Sequence, residues 1–333
     1  MRRWITFPSA LCCLLLLTSP AFATTGTPKG WSKVGKASTA EVYNMSFGDS
    51  THGLAYVYSV GFKKTTDGGK TWKKVSTMPA GFGMNDLVMA SSSVGYIAGT
   101  DVQAGGCVIY RTGDGGKTWA DKRSQLGLGQ IYAVFATDGS RAWAVGTGML
   151  IFATTDGGKT WHKQYGDYYG MGELRSVYFT DKLHGWAAGE TSPGDEVVVY
   201  RTIDGGGSWV GSTIPVNNTA SAVGFADKRQ GWVVTAPTPM SASAIYTSSD
   251  GGATWNPQTI AGCRSGAYCF GFASASKGWM VSNYLFQTTD GGKKWSPYLT
   301  PSAVSAFSMP NHSNAYAYVR SAAGKTQLYR WKK

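Results

Sequence analysis

Short runs of alternating apolar and polar residues fill the chain, and no segment keeps a helical spacing of apolar positions between caps. One stretch shows the unit. Ile131-Tyr132-Ala133-Val134-Phe135 alternates and predicts a strand, and Thr137-Asp138-Gly139-Ser140 predicts a turn. Ala142 to Gly146 predicts a second strand and Met149 to Ala153 a third. Asp156-Gly157-Gly158 then turns the chain, and Thr160 to Lys163 predicts a fourth. Four antiparallel strands in about 45 residues describe one blade of a β-propeller. Second strands of the same character begin at Gly53, Gly95, Gly185, Gly231 and Gly278.

The turn between third and fourth strands recurs as Ser/Thr-x-Asp-Gly-Gly-x-Thr-Trp, with Ser208 and Lys294 as departures at the seventh position. Its aspartates are Asp67, Asp114, Asp156, Asp204, Asp250 and Asp290, spaced 40 to 48 residues apart. Five residues after each comes a tryptophan: Trp72, Trp119, Trp161, Trp209, Trp255 and Trp295. That period marks a repeat architecture. After the sixth copy, Val304 to Met309, Ala315 to Val319 and Gln327 to Trp331 predict three more strands, and the chain stops without a seventh box. Trp31-Ser32-Lys33-Val34 resembles the box tail Trp72-Lys73-Lys74-Val75. The expectation is an all-β fold: a seven-bladed β-propeller with box turns, closed by an N-terminal strand that completes the last blade. Closure would leave no end blade with an uncovered apolar face.

The box reads as structural. Its aspartate can accept backbone N–H groups just ahead of it, and its glycines supply φ > 0 where the chain reverses. Thr71 and its equivalents are expected to begin the outer strand, and the tryptophans to bury against a neighbouring blade with their indole N–H satisfied. Aspartates repeated on every blade cannot converge on one substrate, so catalysis and calcium binding are not expected of them.

Arg2 and Arg3, the apolar run Ser9 to Leu17 and Ala21-Phe22-Ala23 predict a secretory signal peptide over residues 1–23. A short linker, 24–30, would then lead into a single propeller, 31–333. The apolar run is too short to span a bilayer, and no transmembrane segment is expected in the mature chain. Loss of Arg2 and Arg3 lowers the formal charge from +12 to +10. That favours acidic partners such as anionic lipid, acidic protein or acidic glycan, although the box lysines Lys70, Lys117, Lys159 and Lys293 are dispersed by the repeat. No lysine and arginine run marks a nucleic-acid site. Cys263 and Cys269 bracket a glycine-containing loop and could pair in an oxidising compartment, whereas Cys107 reads as a buried thiol. His52, His162, His184 and His312 share no ligand spacing with the cysteines, so neither metal nor cofactor is expected.

The repeated motif resembles the Asp-box, or BNR, repeat over essentially the whole mature chain. Sialidases, xyloglucanases, sortilin and photosystem II assembly factors all carry it. Leu174-Arg175-Ser176-Val177-Tyr178-Phe179, continuing to His184-Gly185-Trp186-Ala187-Ala188-Gly189, is similar to blades of the photosystem II stability/assembly factor family. That resemblance implies a non-enzymatic propeller that binds unassembled protein complexes through a basic surface. The signal peptide predicts export, to a periplasmic or extracellular location, or to the thylakoid lumen in a photosynthetic host. Sialidases resemble the chain less. They place an arginine ahead of the first box, and the mature chain has none before Arg111. They also need a Tyr–Glu pair, and the mature chain offers only Glu41, Glu173, Glu190 and Glu196. A glycosidase needs two carboxylates about 5–10 Å apart. Glu173 with Asp167 or Asp86 is the imaginable pair, and a glycan-active or glycan-binding protein stays as the alternative.

In a propeller the face opposite the boxes carries the loops that surround the channel. Gln164 to Glu173 is the most unusual of them, with three tyrosines, a methionine and two carboxylates. Rigid aromatics with polar tips suit binding surfaces. The expected site is therefore on this face. Arg123, Arg175 and Arg264 would receive an acidic protein segment on a monomeric propeller. Tyr165, Tyr168 and Tyr169 would be its anchors, with Glu173 and Tyr268 beside them.

Overall fold

The computed structural model describes residues 30–103, 105–122, 127, 129–191, 196–236, 244–260, 269–282, 284–299, 303–321 and 324–333. The described elements form seven four-stranded antiparallel sheets. Their innermost strands are Val42–Phe47, Phe82–Met89, Ile131–Ala136, Glu173–Phe179, Thr219–Phe225, Cys269–Phe272 and Ala303–Asn311, which open blades one to seven. Blade three is representative, with Ile131–Ala136, Ala142–Gly146, Ile151–Thr154 and His162–Tyr165 in that spatial order. Blade seven takes its outer strand from the other end of the chain. Trp31–Ser38 pairs antiparallel with Thr326–Lys332, setting Trp31 opposite Trp331 and Val34 opposite Leu328. The closure expected from the likeness of Trp31 to the box tails is the one observed.

Aromatic side chains join one blade to the next. Trp143 of blade three stacks on Phe179 of blade four at 3.6 Å, and Trp186 of blade four on Phe225 of blade five at 3.6 Å. The box tryptophan of the second blade meets the same phenylalanine edge-on, as Trp209 does Phe179 and Trp255 does Phe225, both at 6.0 Å. The second-strand tryptophans Trp143, Trp186, Trp232 and Trp279 are the deeply buried members. The box tryptophans are less buried than expected. Trp161 and Trp295 lie in the core, but Trp72, Trp119, Trp209 and Trp255 are half-buried. They cap the stack from the rim, where one ring edge stays in solvent. Trp72 donates to the Gly69 carbonyl at 3.1 Å and Trp119 to the Ser76 hydroxyl at 3.2 Å. The indole N–H groups of Trp209 and Trp295 have no partner among the described residues.

In the first five boxes both carboxylate oxygens are engaged within the turn, whereas in the sixth Lys294 gives only its N–H, to Asp290 Oδ1. In the third copy the buried Thr154 hydroxyl donates to Asp156 Oδ1 at 2.8 Å and accepts the Gly158 N–H at 2.9 Å. Asp156 accepts the N–H of Lys159 at 2.9 Å and that of Thr160 at 3.0 Å, and its second oxygen takes the Thr160 hydroxyl at 2.6 Å. Thr160 and its equivalents therefore end the turn rather than begin the outer strand. The carboxylate captures the N–H that a ladder would need. Both glycines have positive φ, and the second is also where the preceding blade presses closest. A Cβ at Gly292, whose φ is +79°, would lie 1.9 Å from the Trp232 ring.

Box turns and first-to-second-strand turns share one face. Gly157 N–H donates to the Ser140 carbonyl at 2.8 Å, and Gly205 N–H to that of Leu183 at 2.9 Å. The opposite face carries the second-to-third turns and the links between blades, as Tyr58 N–H to Glu41 and Gly148 N–H to Gly172 show. No helix of the described residues is long and apolar enough to cross a membrane.

Candidate functional site

The seven innermost strands surround a central channel of about 440 Å³. A β-bulge near the start of most of these strands turns two consecutive side chains away from the blade core. The register shifts at Val42/Asn44, Met84/Asp86, Ile131/Ala133, Leu174/Ser176, Ala220/Ala222 and Val304/Ala306 record it. Tyr43, Asn44, Asn85, Asp86, Tyr132, Arg175, Ser176, Ser221 and Ser305 thereby line the channel, together with Cys269.

Some of these groups staple neighbouring blades. Asp86 accepts the Leu87 N–H at 2.8 Å and reaches into blade three for the Val134 N–H at 3.0 Å. Asn44 of blade one donates to it at 3.4 Å. The Ser176 hydroxyl accepts the Val223 N–H at 3.1 Å, and Ser46 that of Met89 at 2.8 Å. Innermost strands have one unpaired edge, and these side chains satisfy its N–H groups. Burial raises Asp86 to about 6 despite the three hydrogen bonds that favour its charge. Burial likewise pushes the Cys269 thiol up to about 12, with the Asp86 charge adding to it. Burial also pushes Cys107 to about 12.

A charged cluster sits at the loop-face mouth of the channel. Arg175 Nε meets Glu190 Oε1 at 2.6 Å, and its Nη2 is in contact with Glu173 Oε2. Its guanidinium lies 4.8 Å from the centroid of the Tyr132 ring, stacked over it. Glu190 is buried, and its second oxygen has no partner among the described residues. Burial drives Glu190 up to about 7, with Glu173 pushing the same way and Arg175 pulling back. A second ion pair, Arg320 to Glu41 at 2.9 Å, stands at the mouth between blades seven and one.

The expected site residues separate into three groups. Glu173 and Arg175 come together, but the arginine is already held by two carboxylates. Tyr165, at the end of the outer strand of blade three, packs on Tyr200 in the third strand of blade four at 4.5 Å. Tyr168 lies over Gly127 with Lys163 Nζ 4.8 Å above its ring, and Tyr169 and Met171 project into solvent, 86% and 73% exposed. Arg123, Arg264, Tyr268 and Cys263 lie outside the described residues. Cys269, the expected partner of Cys263, stands as a free thiol. Glu190, Tyr132 and the stapling role of Asp86 were not foreseen. A polar residue at the same place in several otherwise apolar first strands, as in Asn44, Asp86 and Ser176, was the available signal.

The carboxylates at the mouth do not form an open slot. Glu173 and Glu190 flank the Arg175 guanidinium, which fills the space between them. Among the described residues no group of histidine, cysteine, aspartate and glutamate could hold a metal ion.

Comparison with known proteins gives two sequence matches. The family of photosynthesis system II assembly factor YCF48 matches residues 204–301, and the BNR/Asp-box repeat matches residues 152–163. No curated protein matches the chain. Among solved structures, YCF48 bound to D1 peptide is 19% identical, covering 92% of this chain and 97% of that one, with a TM-score of 0.64. YCF48 from Cyanidioschyzon merolae is 15% identical over 91% and 99%, at 0.65. The GH74 xyloglucanase from Xanthomonas campestris is 14% identical, at 0.61, and this chain covers 89% of itself but only 55% of the enzyme. At such identities these structures are similar in fold alone. The chain is an Asp-box β-propeller that resembles the photosystem II assembly factors.

Proposed function

We propose that this chain is an exported, non-enzymatic, monomeric propeller that acts as an interaction and assembly scaffold. In this reading its loop face receives a segment of a protein partner. The observation that carries the reading is the exposed tip Tyr168, Tyr169 and Met171 beside the charged channel mouth. Large exposed apolar groups next to organised charge are what partner surfaces use. The similarity to a propeller described with a bound D1 peptide supports a peptide-like occupant.

For an acidic segment, Arg175 would exchange one of its glutamates for the partner's carboxylate, with Arg123 and Arg264 as further contacts. Glu190 is the one to yield, because near pH 7 it gains a proton and stops balancing the arginine. Capture should therefore strengthen as pH falls below about 7.

The glycan reading is weaker. A retaining or inverting glycosidase needs a sugar between its two carboxylates, and here that space holds Arg175.

Pull-downs with an Arg123→Ala/Arg175→Ala/Arg264→Ala variant, and separately with Tyr168→Ser/Tyr169→Ser, test the reading. Loss of the same partner from both supports it. Retention of every partner by two folded variants overturns it. A fluorogenic glycoside and sialoside screen of the intact protein tests the alternative.

A further inference from the structure

Ring closure brings the first described strand, Trp31–Ser38, against the last, Thr326–Lys332, and the sequence around both is basic. From 291 to the C-terminus there is no aspartate or glutamate, and residues 30–80 hold only Glu41, Asp49 and Asp67. Those two stretches form blades seven and one and the last box, and they carry 14 lysines and arginines against those 3 acids. The rest of the propeller, residues 81–290, carries 14 cations against 16 acids. The positive charge of the molecule therefore belongs to one sector of the disc, not to the repeat as a whole.

The sector is continuous. Gly35 of the closing strand lies against the Lys70 carbonyl of the blade-one box, at 2.7 Å from where a Cβ would stand. The strand that carries Lys33 and Lys36 therefore runs past the box that carries Lys70. Within blade one, Lys63 is paired across the strands with Lys74, and Lys64 with Lys73. Like charges directly opposite one another are unfavourable in a sheet, so the fold gains nothing from this arrangement. No lysine of the sector enters an ion pair among the described residues. Its two arginines are engaged, Arg320 with Glu41 and Arg330 with Asn314.

We propose that the rim of blades seven and one, centred on Lys33, Lys36, Lys63, Lys73 and Lys74, is a docking surface for an anionic lipid bilayer. Its charge is carried by lysines, exposed at Lys33, Lys36, Lys73 and Lys74 and half-buried at Lys63, without the fixed forks that arginine offers to a defined carboxylate or phosphate. Diffuse lysine charge suits a fluid plane of headgroups, where each cation near the surface adds about as much as the next. This surface lies apart from the loop-face site, so a scaffold would face a membrane with one sector and keep its channel mouth open to a partner.

Co-sedimentation of the full mature chain with vesicles tests the proposal. Phosphatidylcholine vesicles with about 30% phosphatidylglycerol should be bound at low salt and released at about 0.5 M salt, and pure phosphatidylcholine refused. Lys33→Glu/Lys63→Glu/Lys73→Glu/Lys74→Glu should lose roughly tenfold or more in binding. Lys117→Glu/Lys159→Glu/Lys182→Glu/Arg229→Glu, with the same change in net charge, should bind within about threefold of the parent chain. Equal loss in both variants overturns the proposal, because net charge alone would then act. So does refusal of the anionic vesicles, or capture of an acidic polypeptide in their place. Refusal of the anionic vesicles by the parent chain at low salt overturns the proposal even if a variant does not fold.

Discussion

The box turns and the channel mouth both place carboxylates at strand ends, and they treat the charge in opposite ways. At a box the carboxylate faces solvent and takes bonds from its own turn. The hydroxyl and N–H of Thr160 hold Asp156 well below the usual carboxylate range. At the mouth Glu190 is buried with one oxygen unpartnered, and its pKa is raised to about 7. The first arrangement engages both carboxylate oxygens within its own turn in five of the six copies. The second keeps an unfavourable buried charge, and such sites are drawn disproportionately from functional regions.

The comparison sharpens if the box side proves to carry the stability. Trp232 is fully buried, stacks on Phe272 at 5.0 Å and meets Trp295 edge-on at 5.7 Å. Trp232→Ala should lower stability by about 3–5 kcal/mol in denaturant titration. The half-buried Trp255→Ala should lower it by clearly less. Next in size is the buried box hydroxyl. Thr154→Val keeps the shape but leaves the Gly158 N–H and one Asp156 lone pair unmet, for a loss of about 1–3 kcal/mol.

Glu190 should behave in the reverse sense. An ordinary glutamate titrates near 4.5, whereas this one titrates near 7 in the folded state. Its contribution favours the fold at pH below about 4.5 and is lost as pH rises through about 7. Glu190→Gln should therefore raise stability at pH 8 by about 1 kcal/mol and change little at pH 4, as thermal melts at the two pH values would read. If the variant were destabilised at pH 8, the glutamate would be a fastener like the box aspartates, and the contrast would break. Smallest on stability is Tyr169→Ser. An 86% exposed side chain should shift the melt by less than about 0.5 kcal/mol while partner capture falls.

Seven blades, their strand order and the terminal closure were legible because a fixed period and the likeness of Trp31-Ser32-Lys33-Val34 to the box tails are local patterns. The loop tyrosines were legible as unusual, and Tyr169 is indeed exposed. Arg175 was legible only as a charge. Its capture by Glu190 depends on cross-strand register, which sets residue 173 opposite residue 190. Thr71 and its equivalents are expected from the sequence to begin the outer strand, but only the folded turn brings their N–H within reach of the aspartate.

By itself, then, the sequence determined the repeat, because strand alternation and turn chemistry act over a few residues. It also determined the basic character of the stretches around the first and last described strands. The tertiary structure alone decided that those stretches form one sector, because ring closure pairs residues some 300 positions apart. It also decided which charges are free and which are spent. Burial and hydrogen bonding from other blades determine that, and no local pattern along the chain records them.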